Sequence, residues 1–150
     1  MKRVVVDANI IVKWFIPEDY SEHARRIRDD HLYGCVEATA PDYARLEVYN
    51  ALWKYASRGI IDSGIAERIA QLVQEVRVDF KPVEGDLALA ALEYSLKYSV
   101  SVYDAYYITL AWSLDTQFYT ADEKLLRRLE GVEPRIRHIV EYEGLCSGGG

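Results

Sequence analysis

Residues 4–12 read VVVDANIIV, and this stretch decides the fold class. Three consecutive β-branched valines predict a strand buried on both faces, as strands are in a parallel sheet covered by helices. The strand ends at Asp7, and residues 9–15 are predicted to form a short helix that ends before Pro17. The chain therefore begins as a buried strand followed at once by a helix.

The same alternation continues as far as residue 140. Further strands are predicted at 36–39, 78–83, 118–120 and 136–140. Helices are predicted at 21–33, 41–58, 86–98 and 123–129, with Pro41 in the first turn of the second. Another helix is predicted to begin after the cap residue Asp62. A further helix is predicted from about Tyr103, with Ile108, Ala111 and Trp112 on one side. Strands separated by helices predict an α/β fold with a mostly parallel central sheet and helices on both faces. In such sheets, ligands bind beyond the carboxyl ends of the strands.

Length and composition indicate one globular domain. The chain has 150 residues, of which 50% are apolar and 28% are charged, which is enough for a core and a solvated surface. We predict a single domain over residues 1–143 and a flexible tail over 144–150, which ends in SGGG. The formal net charge of −6 excludes nucleic-acid binding by bulk positive charge. Any role on nucleic acid must therefore work locally, through a metal or a few placed arginines.

The sequence predicts a cytoplasmic protein without a membrane segment, because no apolar run approaches roughly 18 residues and the N-terminal run is too short for a signal peptide. Cys35 and Cys146 are the only cysteines and form no CxxC motif, so a zinc site is not expected. Two buried free thiols are the expectation. Few Asn and Gln residues and a single Met are typical of a thermophile's protein, and in such organisms a Cys35–Cys146 disulfide is the alternative.

Four carboxylates are the candidate functional residues. Asp7 and Asp122 each follow a predicted strand, whereas Glu47 and Asp104 lie on helices predicted to pack over the sheet. The structural alternatives are helix capping for the three aspartates and a solvated surface position for Glu47. Gathered at one sheet edge, four carboxylates would repel one another unless a cation balanced them. Oxygen-only ligands favour Mg²⁺ or Mn²⁺.

A carboxylate-held magnesium ion usually meets phosphate, and it makes water a better nucleophile. This chemistry needs no histidine, and His23, His31 and His138 form no HxxxH pair. No GxxxxGK[ST] loop and no GxSxG motif occurs, which excludes the common NTPase and α/β-hydrolase designs. A receiver-like phospho-acceptor domain or a D-x-D phosphatase is disfavoured, because Asp7 is followed by Ala8 and Asn9.

Four sequence pieces occur in a recognisable order: Asp7 closing the first strand, E-x-x-N-A-L from Glu47, D-A-x-x from Asp104, and T-x-D from Thr120. In this order and at this length they resemble the PIN-domain family of metal-dependent ribonucleases, and more narrowly the VapC-type toxins. The family often has Ser or Thr two residues after the first aspartate, where this chain has Asn9.

The resemblance implies a three-layer α/β/α sandwich, a homodimer, a VapB-type antitoxin partner, and Mg²⁺- or Mn²⁺-dependent cleavage of RNA by a toxin endoribonuclease. It makes Asp7 and Asp104 metal ligands, with Glu47 and Asp122 completing the acidic pocket directly or through water. Asn9, Asn50 and Thr120 would orient these carboxylates. The alternative is a non-catalytic module that keeps the fold for binding or assembly; retention of all four acids disfavours it.

Two further groups of residues are candidates for contacts with RNA. Arginines that can contact phosphates are Arg25, Arg26, Arg28, Arg127 and Arg128, and tyrosines that can stack on bases are Tyr20, Tyr33, Tyr106 and Tyr107. Solvation of helix faces is the alternative role for the arginines, and core or dimer packing is the alternative for the tyrosines.

Overall fold

The computed structural model describes residues 2–146, which form one five-stranded sheet between two layers of helices. The strands are β1 (Lys2–Val6), β2 (Val36–Pro41), β3 (Asp79–Lys81), β4 (Phe118–Thr120) and β5 (Ile136–His138). The helices are α1 (Ala8–Phe15), α2 (Ser21–Tyr33), α3 (Tyr43–Ser57), α4 (Ser63–Val76), α5 (Gly85–Tyr98), α6 (Val102–Ser113) and α7 (Glu123–Arg128), followed after β5 by a 3₁₀ turn over Ile139–Glu141.

The strand order is β3-β2-β1-β4-β5, and every pairing in this sheet is parallel. β1 lies in the middle, where Val5 pairs with Thr39 of β2 on one side and Phe118 of β4 on the other. The valines at 4–6 are at most 1% exposed. The predicted α/β class and α/β/α layering are therefore confirmed, with a sheet that is wholly parallel.

α6 has more buried residues than any other helix within residues 2–146. It packs on β1, β2 and β4, and its residues from Ala105 to Ala111 are all buried. A helix that is apolar on nearly every side has to lie inside the core. Asp104, in the first turn, stands where this helix emerges at the carboxyl edge of the sheet.

Pro41 does not begin a helix, contrary to the prediction. It is the last residue of β2 and pairs with Lys81 of β3, and α3 begins two residues later at Tyr43. Proline lacks the N–H that a strand donates to its neighbour. Here Asp42 makes the next bond, its N–H donating to the Lys81 carbonyl at 2.8 Å, so the strand tolerates proline at its end.

Trp112, which the helical spacing places on the same side of α6 as Ile108 and Ala111, differs from those two residues in being partly exposed. Trp112 is 49% exposed. Its indole ring packs against the guanidinium of Arg135, and its Nε1–H donates to the Glu133 carboxylate. An aromatic side chain with a polar edge can be held by such contacts at the rim of a core.

Cys35 and Cys146 form a disulfide, which corrects the expectation of two free thiols. The same C-terminal segment is held by Asp30, whose Oδ2 accepts from the Leu145 N–H and the Tyr142 hydroxyl, both at 2.7 Å. Leu145 and Cys146 thus contact α2, and the flexibility of the segment from residue 144 stays a prediction. The rest of that tail, residues 147–150, lies outside the described residues.

Reduction of this disulfide is expected to lower the free energy of unfolding by roughly 2–4 kcal/mol, because the bond closes a long loop in the unfolded chain. The two cysteines are 111 residues apart. Guanidinium denaturation with and without dithiothreitol measures the change, and Cys35→Ser is the control that the reductant should not affect. A wild-type midpoint that is the same with and without reductant would contradict the prediction.

No helix within residues 2–146 is long and apolar enough to cross a lipid bilayer.

Candidate active site

The four candidate carboxylates lie at the carboxyl edge of the central strands. Asp7 directly follows β1, and Asp122 lies two residues beyond β4. Because β1 and β4 are parallel neighbours, both positions fall at the same edge, where the Asp7 N–H donates to the Tyr119 carbonyl at 3.0 Å. Glu47 reaches this edge from the second turn of α3, and Asp104 from the first turn of α6.

Thr120 connects two of these acids. Its hydroxyl donates to Asp7 Oδ2 at 2.8 Å and accepts from the Asp122 backbone N–H at 3.0 Å. Asn9 adds two bonds: its backbone N–H donates to Asp7 Oδ1 and its side-chain Nδ2 donates to the Thr120 hydroxyl, each at 3.3 Å. Asn9 and Thr120 therefore restrain the position of the Asp7 carboxyl, and their role in orienting a metal ligand stays a prediction.

The Asp7 carboxyl resists ionisation. Asp7 is only 9% exposed, and burial raises its pKa from the ordinary 3.8 to about 7. The hydrogen bonds from Thr120 and Asn9 partly lower the pKa, whereas the charges of Glu47 and Asp104 raise it further. A neighbouring positive charge would stabilise the ionised form of such a carboxyl and lower its pKa.

Glu47 is held by a residue whose role the sequence did not indicate. The Tyr107 hydroxyl donates to Glu47 Oε1 at 2.7 Å and accepts from the Ala8 N–H at 3.3 Å. Tyr107 is 1% exposed, and burial raises its pKa well above the ordinary value, so it remains a proton donor. The available signal was a tyrosine within the buried stretch of α6, because a buried hydroxyl needs a polar partner.

Asp104 does not cap its helix. The cap of α6 is Ser101, whose hydroxyl accepts from the Asp104 N–H at 3.0 Å, so the Asp104 carboxylate is left for other contacts. Burial raises the pKa of Asp104, the Ser101 side chain partly lowers it, and the charge of Asp122 raises it. By contrast, Asp7 and Asp122 do act as caps, of α1 and α7. For these two, the structural alternative of helix capping is observed, and a chemical role stays a prediction.

Asn50 lies apart from the other members of the predicted site. It is exposed on α3, and in the described part of the chain its side chain makes no hydrogen bond to any of the four acids. Its role in orienting Glu47 stays a prediction. Burial raises the pKa of Glu47, and the charge of Asp104 raises it further.

Two of the tyrosines considered for stacking on bases are core residues. Tyr106 is 3% exposed and Tyr107 is buried, so neither presents a ring face to solvent. Tyr20 is exposed, with its hydroxyl donating to Glu123 and its ring against His138, and Tyr33 on α2 is 79% exposed.

The donor set suits a hard divalent cation by its chemistry. Four carboxylates with only oxygen donors lie at one edge, and from Lys2 to Cys146 none of them has a Lys, Arg or His nitrogen within 4.0 Å. Mg²⁺ and Mn²⁺ prefer such oxygen ligands. Over the same residues, no three Asp, Glu, His or Cys side chains converge on one point, so the carboxylates would have to turn inward to share an ion.

The fold is that of an α/β/α protein, with a parallel sheet covered by helices on both faces. Its candidate site is the group of acids at the carboxyl ends of the central strands. Within that class, the chain belongs to the PIN domain family, whose profile matches residues 4–131. The resemblance drawn from the four sequence pieces is thereby confirmed.

Known relatives cover nearly the whole chain. Ribonuclease VapC3 of Pyrobaculum aerophilum is 31% identical over 134 residues, which are 87% of this chain and 97% of that protein. The fold is similar to that of PAE2754 from Pyrobaculum aerophilum (TM-score 0.66, 22% identity, 93% and 92% of the two chains). It is also similar to a toxin–antitoxin complex from Klebsiella pneumoniae (TM-score 0.66, 14% identity, 93% and 99%) and to the sarcin–ricin loop-cleaving toxin VapC20 of Mycobacterium tuberculosis (0.58, 16%, 81% and 93%). At identities of 14–22%, these three structures show that the fold is similar.

Proposed function

We propose that the protein is an endoribonuclease dependent on Mg²⁺ or Mn²⁺, and that it is the toxin of a type II toxin–antitoxin pair neutralised by a VapB-type antitoxin. The observation that carries the nuclease proposal is the buried Asp7, which lies at the same sheet edge as Glu47, Asp104 and Asp122. Among residues 2–146, no Lys, Arg or His nitrogen lies within 4.0 Å of its carboxylate. The ribonuclease relative in the same family supports RNA as the substrate, and the Klebsiella complex supports the antitoxin.

A divalent cation held by Asp7 and Asp104, with Glu47 and Asp122 binding directly or through water, would make water a better nucleophile and withdraw charge from the phosphodiester. The chain's own contribution is to hold these groups in place. Thr120 and Asn9 restrain the Asp7 carboxyl, and Tyr107 restrains Glu47. Restraint of ligands by neighbouring hydrogen bonds is what tunes metal sites in proteins generally.

The test is cleavage of a mixed-sequence single-stranded RNA by the purified, antitoxin-free chain. Cleavage is expected with Mn²⁺ or Mg²⁺ and is expected to stop in EDTA. Cleavage that continues in EDTA would contradict a metal-dependent mechanism.

One observation favours the alternative of a non-catalytic binding module with the same fold. As described for residues 2–146, the carboxylates do not converge on a single point. Calorimetric titration with Mn²⁺ separates the two: a nuclease has to bind the ion at this edge, and binding has to weaken in Asp7→Asn. A chain that binds no Mn²⁺ fits the module.

A homodimer is also part of the proposal. Leu89, Leu92 and Leu96 are exposed along one side of α5, at the three- and seven-residue spacing of a helix face. An exposed apolar stripe of this kind is suited to burial against another protein surface.

Tyr107→Phe is expected to lower cleavage roughly 10- to 100-fold and to weaken Mn²⁺ binding, because it frees the Glu47 carboxylate. Tyr106→Phe is the matched control: it also removes a buried hydroxyl from α6, but that hydroxyl accepts from the Glu84 N–H at 2.9 Å, away from the acids. Cleavage rates and Mn²⁺ titrations of both variants check this. Equal losses in the two variants would mean that Tyr107 acts only through the stability of α6.

A further inference from the structure

Two basic side chains share a cleft with two of the candidate acids. The cleft has a volume of about 220 Å³, and its lining includes Asp104 and Asp122 together with Lys124, Arg128 and the cap residue Ser101. Lys124 and Arg128 are four residues apart on α7, so they lie on the same face of that helix.

The side chains of Lys124 and Arg128 are available to bind a ligand. Lys124 and Arg128 are exposed, and within the described range 2–146 neither side chain forms a hydrogen bond or an ion pair. They line the same cleft as Asp104 and Asp122 but do not come within 4.0 Å of a carboxylate oxygen. Positive and negative groups thus face a common space without neutralising each other.

The other arginines considered for phosphate contacts are engaged or point elsewhere. Arg25 and Arg28 donate to the Trp14 carbonyl, and Arg26 pairs with Glu22. Arg127 lines a different cavity, of about 490 Å³. Of the five arginines, only Arg128 lines the cleft that holds Asp104 and Asp122.

A phosphodiester is the ligand that this arrangement fits. Lys and Arg side chains are the usual protein groups that bind phosphate oxygens. A chain with a formal net charge of −6 does not attract a polyanion by its overall field, so any attraction has to come from a few local cations. Lys124 and Arg128 supply two such charges beside the acids.

We propose that Lys124 and Arg128 form a subsite for the backbone of single-stranded RNA, binding a phosphate next to the one that is cleaved. The substrate then runs across the N-terminal turn of α6 and along α7, with the reacting phosphate over Asp7 and Asp104. This subsite rests on the proposed ribonuclease function.

The test compares the double variant Lys124→Gln/Arg128→Gln with the double variant Arg58→Gln/Arg68→Gln, which removes the same charge from exposed positions outside the cleft. Initial rates with Mn²⁺ give kcat and KM for a fluorescein-labelled, mixed-sequence single-stranded RNA. Anisotropy in EDTA at several salt concentrations gives the affinity without cleavage. For the cleft variant, KM is expected to rise roughly 10-fold with little change in kcat, since each lost charged contact weakens binding. The slope of log K against log salt is expected to fall by about 1.4.

The control variant is expected to keep the wild-type KM and salt slope. If wild type cuts RNA but the cleft variant matches the control in KM and slope, the subsite is wrong and the ribonuclease proposal stands. A fall in kcat with KM unchanged also overturns the subsite, because it places the two cations in the chemical step. If wild type neither cuts nor binds the RNA, both proposals fail.

Discussion

Asp104→Asn is expected to reduce metal-dependent RNA cleavage to background while the protein stays folded. The amide keeps the size of the side chain but loses the negative charge that would hold the cation. The helix cap is unaffected, because the bond at the start of α6 runs from the Asp104 backbone N–H to the Ser101 hydroxyl. Stability is expected to stay equal or rise slightly, since one source of repulsion with Asp122 is removed.

The control for this variant is His138→Ala. His138 lies at the end of β5, where its Nδ1 accepts from the Val140 N–H and its ring packs against Tyr20. Its loss is expected to leave turnover nearly unchanged. Gel assays of both variants, with thermal melts to confirm folding, decide the matter. Full activity of Asp104→Asn would remove Asp104 from the site, and a large loss in His138→Ala would point to a histidine-based mechanism.

In the absence of metal, the free energy of unfolding is expected to fall as pH rises from about 4 to about 7, because of Asp7. Its pKa is 3.8 ordinarily and about 7 in the folded protein. Between these values the folded chain holds a proton that the unfolded chain has released, so raising the pH favours unfolding. The shift corresponds to about 4 kcal/mol, which is lost as the pH rises through about 7 and changes little above roughly pH 8.

Denaturation in EDTA at pH 4.5 to 8 measures this effect, and Asp7→Asn is the matched variant because its side chain does not ionise. The difference between the two proteins isolates Asp7 from Glu47 and Asp104, whose pKa values are also raised. The wild-type stability should decline more steeply with pH over this interval. Added Mg²⁺ should restore wild-type stability at pH 8, where the ion replaces the proton. Identical pH profiles would contradict the burial of an unbalanced Asp7 carboxyl.

The fold was predictable where the sequence pattern of a segment matches its position in the folded chain. The valine run of β1 indicates a strand covered on both faces, and β1 is indeed the central strand. The prediction was wrong where a tertiary contact decides. Pro41 was predicted in the first turn of a helix, but it continues β2 because β3 offers a pairing partner.

The sequence was enough to predict that the acids lie at one edge of the sheet, but not which residues form hydrogen bonds with them. The rule that parallel strands end at one edge was enough to bring Asp7 and Asp122 together. The contact of Tyr107 with Ala8 spans 99 residues of sequence, and the disulfide spans 111, so no local spacing reveals either. Hydrogen bonds between distant segments depend on packing that is fixed only in the folded chain.

The measurement that tests the central claim most directly is cleavage of a mixed-sequence single-stranded RNA by wild type and by Asp7→Asn, each with Mn²⁺, with Mg²⁺ and with EDTA. We predict that wild type cuts with either metal, that EDTA stops it, and that Asp7→Asn is inactive under every condition although it folds. Cleavage by Asp7→Asn at the wild-type rate, or by wild type in EDTA, would contradict a metal-dependent reaction at this carboxylate edge.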